Sequence, residues 1–154
     1  MNKKKVIKKP SKSGYIKINE EKCHQCGICE MACSLTHEGV CSPYLSRITL
    51  KRDPLHGESE LSVCKQCDFP ECYYSCPVNA IKIDEKAGAR FIVEEECIGC
   101  GSCVKACPVD ENENILKYNE KKNVYIKCDL CKDRENGPAC VEACPWGALE
   151  FVEK

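Results

Sequence analysis

Sixteen of the seventeen cysteines in this chain fall into four groups with metal-ligand spacing. The first is Cys23-x2-Cys26-x2-Cys29-x3-Cys33. The second is Cys64-x2-Cys67-x4-Cys72-x3-Cys76, followed by Pro77. The third is Cys97-x2-Cys100-x2-Cys103-x3-Cys107, followed by Pro108, and the fourth is Cys128-x2-Cys131-x8-Cys140-x3-Cys144, followed by Pro145. Cys41 alone stands outside the pattern. Cysteine at about 11% of the residues has three chemical explanations: disulfides, zinc or iron–sulfur clusters. Disulfides need an oxidising compartment and an export signal. The opening MNKKKVIKKPSKSG is basic but has no apolar stretch after it and no Arg-Arg pair, and no apolar run approaches a membrane span. A cytoplasmic protein with no membrane span is therefore expected, with thiols free to bind metal.

Four all-cysteine zinc sites would also use C-x2-C pairs, but zinc sites take two such pairs across a longer loop. They need neither a third cysteine two residues on nor a Cys-Pro ending. Groups one and three match the bacterial C-x2-C-x2-C-x3-C run of [4Fe-4S] proteins without a gap. A short loop can wrap three cysteines around one cubane and point backbone N–H groups at its sulfurs. The fourth cysteine lies about one helical turn further on and faces the other way. In two-cluster ferredoxins that residue serves the neighbouring cluster, so such motifs work in pairs. A proline after it stops the helix. Four [4Fe-4S] clusters are expected.

Short apolar runs at Gly14–Ile18, Ile48–Lys51, Ile81–Ile83, Arg90–Val93, Val124–Lys127 and Ala148–Val152 read as strands. Gly27–Ser34, Glu71–Cys76, Ser102–Cys107 and Ala139–Cys144 read as short helices. The expected fold is α+β: two pseudo-symmetric bacterial-ferredoxin β-α-β modules, one inserted in the other. Residues 60–118 (groups two and three) form the inserted module, and 14–59 with 119–154 (groups one and four) the outer one. Residues 1–13 form a basic tail. Aromatic residues are only 6% of the chain, so the ordinary core is thin and the clusters are expected to serve as core, with folding coupled to their insertion. Residues 1–22 hold eight lysines against Glu20 and Glu21; with the chain at −1, residues 23–154 carry −7. An acidic electron carrier meets a basic patch on its partner. The lysine-rich arm reads as a solvated segment, and nothing beyond it supports nucleic-acid binding.

These motifs resemble the four-cluster ferredoxin-like subunits of molybdenum and tungsten oxidoreductases, carbon monoxide dehydrogenase and hydrogenase systems. The resemblance runs from about Ile16 to Phe151 and is greatest to the subunits accompanying tungsten aldehyde oxidoreductases. It implies that group one exchanges its last cysteine with group four, and group two with group three. One cluster would take Cys23, Cys26, Cys29 and Cys144, and its companion Cys128, Cys131, Cys140 and Cys33. The central pair would take Cys64, Cys67, Cys72 with Cys107, and Cys97, Cys100, Cys103 with Cys76. Ser34 stands where the other groups have proline, which puts the chain path there in question. The resemblance further implies a catalytic oxidoreductase subunit as partner and a second redox subunit such as a flavoprotein, with self-association left open.

Among the remaining residues, Cys41 reads as a thiol without a ligand role and His24 as a tolerated loop residue. His37 and His56 read as turn residues with ordinary hydrogen bonds. Tyr73, Tyr74, Trp146, Ile98, Val104 and Val109 read as shielding around the clusters. Gly27, Gly99 and Gly101 adjoin ligands where backbone must approach an inorganic cube. There is no G-x-G-x-x-G, Walker motif or nucleophile–base pair. A cluster doing chemistry with an open iron shows three cysteines without a fourth, so sixteen point to a carrier that is not itself catalytic.

Overall fold

The computed structural model describes residues 13–110 and 114–153. Except for Ser13, the expected basic tail lies outside them. Among the described residues, eight short strands pair as four separate two-stranded antiparallel ribbons. β1 (Tyr15–Ile18) pairs with β8 (Leu149–Val152), with Tyr15 opposite Val152 and Ile18 opposite Leu149, so the two ends of the fold meet. The other ribbons are hairpins: β2 (Ile48–Asp53) with β3 (Glu58–Val63), β4 (Ile81–Ile83) with β5 (Arg90–Ile92), and β6 (Lys117–Asn119) with β7 (Val124–Ile126).

The three hairpins turn by one device. Each first strand ends at or just before an Asp or Asn, whose side chain accepts backbone N–H groups two and three residues on. Asp53 accepts from Leu55 (2.9 Å) and His56 (3.2 Å), Asp84 from Lys86 (3.0 Å) and Ala87 (2.6 Å), and Asn119 from Lys121 (3.1 Å) and Lys122 (3.3 Å). Four residues after each of them the chain turns left-handed, at Gly57, Gly88 and Asn123, residue types that tolerate positive φ. Strands β3 and β6 are additions to the sequence-based expectation. ESELSV shows no apolar run because one side of a lone hairpin faces water, and KYN is too short to show a period.

Four helices carry the last cysteines of the groups. α1 is Ile28–Glu38, α2 Glu71–Ser75, α3 Ser102–Ala106 and α4 Ala139–Ala143. The last three are single turns that stop before a cysteine followed by proline, and proline forces the residue before it out of helical geometry. Cys76, Cys107 and Cys144 accordingly have ψ of 114°, 117° and 109°. With Ser34 in place of proline, α1 continues to Glu38 and ends on left-handed Gly39, whose N–H donates to the Leu35 carbonyl (3.0 Å). The cysteine spacing alone predicts a helix ending at Ser34, with His37 in a turn. His37 instead lies in the last turn of α1.

α1 packs on α4, and α2 on α3. Buried side chains collect in two groups, one around Ile16, Ile48, Val63 and Leu149, the other around Ile81 and Leu116. Cysteines stand among both, as expected of a chain too poor in large apolar residues to close a core alone. The residue 59/60 boundary drawn from sequence falls inside β3, and the 118/119 boundary inside β6. Glu38 of α1 accepts from Lys122 (2.8 Å) and faces Arg47 (3.5 Å), and both cations also reach Glu94 (2.8 Å each), tying α1, the β6–β7 turn and the loop after β5 together. Among the described residues no helix is long and apolar enough to cross a membrane.

Candidate metal centres

In each C-x2-C loop the second intervening residue is left-handed: Gln25, Gln66, Gly99 and Leu130. That conformation is uncommon for a side chain other than glycine, and its fourfold recurrence marks one loop design used four times. It curls the backbone over the cysteines so that amides face sulfur. Gln66 N–H donates to Cys64 Sγ and Leu130 N–H to Cys128 Sγ, both at 3.4 Å. Ala139 N–H reaches Cys131 Sγ at 3.5 Å. The last cysteines receive theirs from the chain that follows: Arg47 to Cys33 (3.2 Å), Ala80 to Cys76 (3.3 Å) and Ala148 to Cys144 (3.4 Å). At Gly99 a Cβ would stand 2.6 Å from the Asn123 carbonyl oxygen, so a side chain there is barred by the β6–β7 turn as well as by φ.

Three cavities are each lined by four cysteines, three from one group and one from another. Cys23, Cys26 and Cys29 face Cys144; Cys64, Cys67 and Cys72 face Cys107; and Cys97, Cys100 and Cys103 face Cys76. Cys33, Cys128, Cys131 and Cys140 are all buried. Cys140 has Cys33 and Cys131 as electrostatic neighbours, and Cys128 has Cys140. Exposed cysteines occur in two sets only, Cys26 in the first and Cys100 in the third. Cys41 is exposed and lines none of the cavities.

The neighbours of these sets divide into shielding and charge. Trp146 lies on His24 with ring centroids 4.0 Å apart, and both line the Cys23 cavity. Ile98 and Val78 line the Cys97 cavity and Val109 the Cys64 cavity. Tyr73 and Val104 pack between α2 and α3, whereas Tyr74 is half exposed with its ring edge-on to Tyr73. Burial pushes the Cys29 and Cys103 thiols up to about 12 and the Cys72 thiol up to about 11, so these sulfurs become thiolates only if a cation takes the proton's place.

Three charged residues at the sets carry no signal in the local sequence. His37 Nδ1–H donates to the Cys33 carbonyl and Nε2–H to Asp129 Oδ1, each at 2.9 Å, and the ring nitrogens stand 3.8 and 4.0 Å from Cys33 Sγ and Cys131 Sγ. Lys127 and Arg90, 3% and 1% exposed, both line the Cys64 cavity. Arg90 Nε is buried without a hydrogen-bond partner among the described residues. Two buried cations, one with an orphaned donor, walling a cavity of four thiols call for an anion inside it. A [4Fe-4S] cube held by four thiolates is one, and it also fits the amides aimed at sulfur.

Paired ribbons and short helices that bring cysteines of different motifs together define a ferredoxin-type iron–sulfur scaffold. Residues 59–154 match the 4Fe-4S dicluster domain family and residues 16–33 the 4Fe-4S binding domain family; the chain belongs to the 4Fe-4S dicluster family of ferredoxin-like proteins. It is 41% identical over 131 residues to the polyferredoxin-like subunit of aliphatic sulfonate oxidoreductase of Pyrococcus furiosus, covering 84% of this chain and 70% of that one. It is 35% identical over 158 residues to the electron transport protein HydN of Escherichia coli, covering 91% and 88%. Among solved structures it is similar to a chain of the active site complex BamBC of benzoyl coenzyme A reductase, with TM-score 0.56, 27% identity and 94% of this chain against 81% of that chain.

Proposed function

We propose that this chain is an electron-carrying subunit that holds four [4Fe-4S] clusters and relays electrons between the catalytic subunit of an oxidoreductase complex and a second redox subunit or acceptor. Each of the four cysteine sets binds one cluster, which supplies a reversible one-electron couple. The observation that carries this reading is the lacing of the cavities. In three of them the fourth cysteine comes from a different motif, so no motif is complete alone.

Electrostatic neighbours shared between sets support an order for the relay. Cys29 acts on Cys140, Cys64 on Cys128 and Cys72 on Cys103. The line therefore runs from the Cys23 set through the Cys128 and Cys64 sets to the Cys97 set, and the exposed Cys26 and Cys100 lie at its two ends. Electrons enter and leave at exposed edges and rest in the interior. The pairing of β1 with β8, and of α1 with α4 around α2 and α3, supports an inner module nested in an outer one, with the β2–β3 and β6–β7 hairpins as connections.

A thiolate on every iron leaves no open position for substrate, which supports a carrier and not a catalyst. A tungsten aldehyde oxidoreductase is the leading choice of partner. The similarity to subunits of sulfonate oxidoreductase and benzoyl coenzyme A reductase complexes supports a catalytic oxidoreductase partner in general. Molybdenum enzymes, carbon monoxide dehydrogenase and hydrogenase are the alternatives. Reductive coulometry of the anaerobically purified chain tests the reading. Uptake of about four electrons per chain, with no turnover of aldehyde by the chain alone, is the expected result. Uptake near zero, or turnover without a partner, overturns it.

A further inference from the structure

The four cysteine sets differ in one respect that their shared motif does not predict, the buried charge around them. Lys127 Nζ lines the cavity of the Cys64 set and donates to the carbonyls of Arg90 and Cys128 (the latter at 3.1 Å). Its electrostatic neighbours are the thiols of Cys64, Cys72 and Cys128. Among the described residues no carboxylate lies within salt-bridge distance of it. Arg90, in the same cavity wall, acts on Cys64, Cys67 and Cys72. Opposing charge exists but is weakened. Asp68 and Glu71 are exposed to water, as is Lys65. Asp110, which acts on Cys107, spreads its charge over the N–H groups of Asn114, Ile115 and Leu116.

Lys127 also neighbours Cys128, but among the described residues no other set has both Lys127 and Arg90 beside it. At the Cys128 set His37 is matched by Asp129 (2.9 Å), Arg134 by Glu142 (2.5 Å), and Lys117 acts on Glu30 as well as on Cys33. The Cys23 set lies beside the buried carboxylate of Glu30, which acts on Cys29 and meets Arg52, half exposed, only at 4.0 Å. Among the described residues, the lining of the Cys97 cavity contains no acidic or basic side chain beside the thiols and Tyr125. A cation buried in low dielectric acts far more strongly than one in water. Taking up an electron adds a negative charge to a cluster, so a buried cation favours the reduced form.

From this juxtaposition we infer that Lys127 and Arg90 make the cluster of the Cys64 set the most oxidising of the four, so that the first electron entering the chain rests at an inner position of the relay. The inference rests on the four-cluster reading. Lys127, one residue before a ligand of the adjoining set, also bridges the two inner clusters and favours an electron on either side of the central junction. It is a positioning residue for charge and ligates nothing.

A mediated redox titration followed by EPR tests this, after iron and sulfide analysis has established that the chain is loaded. Loading is the outcome that separates the two claims: a parent chain without iron and sulfide sinks the four-cluster reading before any potential is measured. In the parent chain, the signal that appears first as the potential is lowered should be altered by Cys67→Ser and left in place by Cys26→Ser, Cys131→Ser and Cys100→Ser. Lys127→Met keeps the length of the side chain and removes the charge. At the potential that half-reduces this cluster in the parent, the variant's reduced-to-oxidised ratio should fall at least tenfold, a shift of about 59 mV for one electron. The inference is overturned if the first signal follows another cysteine, or if a loaded Lys127→Met protein keeps the parent ratio. Should that variant fail to load, the parent titration and the cysteine series decide alone.

Discussion

At the residue scale, the side chain with the clearest electrostatic consequence is His37. Both of its ring partners, a carbonyl and a carboxylate, can only accept, so both nitrogens carry hydrogen and the ring is a cation. Burial by itself pushes its pKa down, but the Asp129 carboxylate and the Cys131 and Cys33 sulfurs outweigh that and hold it far above the usual histidine range. Burial likewise pushes Asp129 up, and His37 more than reverses it, leaving the carboxyl below its ordinary value. A raised histidine contributes stability below its unfolded pKa and loses it only as pH climbs through the folded value, here well above neutrality. A lowered carboxyl contributes above its unfolded pKa and loses it as pH falls through the folded one. Between about pH 6 and pH 9 neither group changes charge. In the proposed four-cluster arrangement, the midpoint potential of the cluster at Cys33 and Cys131 is therefore expected to be flat over that range in a pH series of redox titrations. A break near the ordinary histidine pKa of about 6.5 would show His37 to be neutral at the top of the range. The sequence could not reveal this role, because the partner that defines it lies 92 residues away.

At the element scale, the proline after the last cysteine sets helix length. Three groups have it and give single turns; group one has Ser34, and α1 runs on through His37 and Glu38. Ser34 Oγ donates to the Met31 carbonyl (3.2 Å) and accepts from Ser42 N–H (2.9 Å), so the hydroxyl also fixes the loop that leaves the helix. Ser34→Pro should cost about 3 kcal/mol or more from the lost helix bond and ring clash. It should also detach Glu38 from Arg47 and Lys122. Ser34→Ala should cost only about 1 kcal/mol. Denaturation of the loaded protein, followed by its visible absorbance, ranks the two; equal losses would mean that the final turn of α1 holds nothing. Much at this scale was legible. Cysteine spacing located all four helices, with Cys-Pro endings at three, and short apolar runs located six of the eight strands among the described residues. The hairpins at β3 and β6 have a legible mark too, an Asp or Asn followed four residues later by Gly or Asn, but their strands are too polar or too short for hydrophobic periodicity to show.

At the scale of the whole molecule, the fold is a frame for its contents. Among the described residues apolar side chains form two modest groups, thiols stand among them, and buried cations line the Cys64 cavity. The motif spacing was enough to expect four sites. What it could not supply is the difference among them in exposure and charge, since Lys127, Arg90, Glu30 and Asp129 reach their positions through long-range packing. The central claim is that sixteen cysteines, laced between motifs, hold four cubes of iron and sulfide. Native mass spectrometry of the anaerobically prepared chain tests this most directly. The predicted mass is that of the polypeptide plus about sixteen irons and sixteen sulfides. A dominant species carrying a few zinc ions and no sulfide would contradict the account.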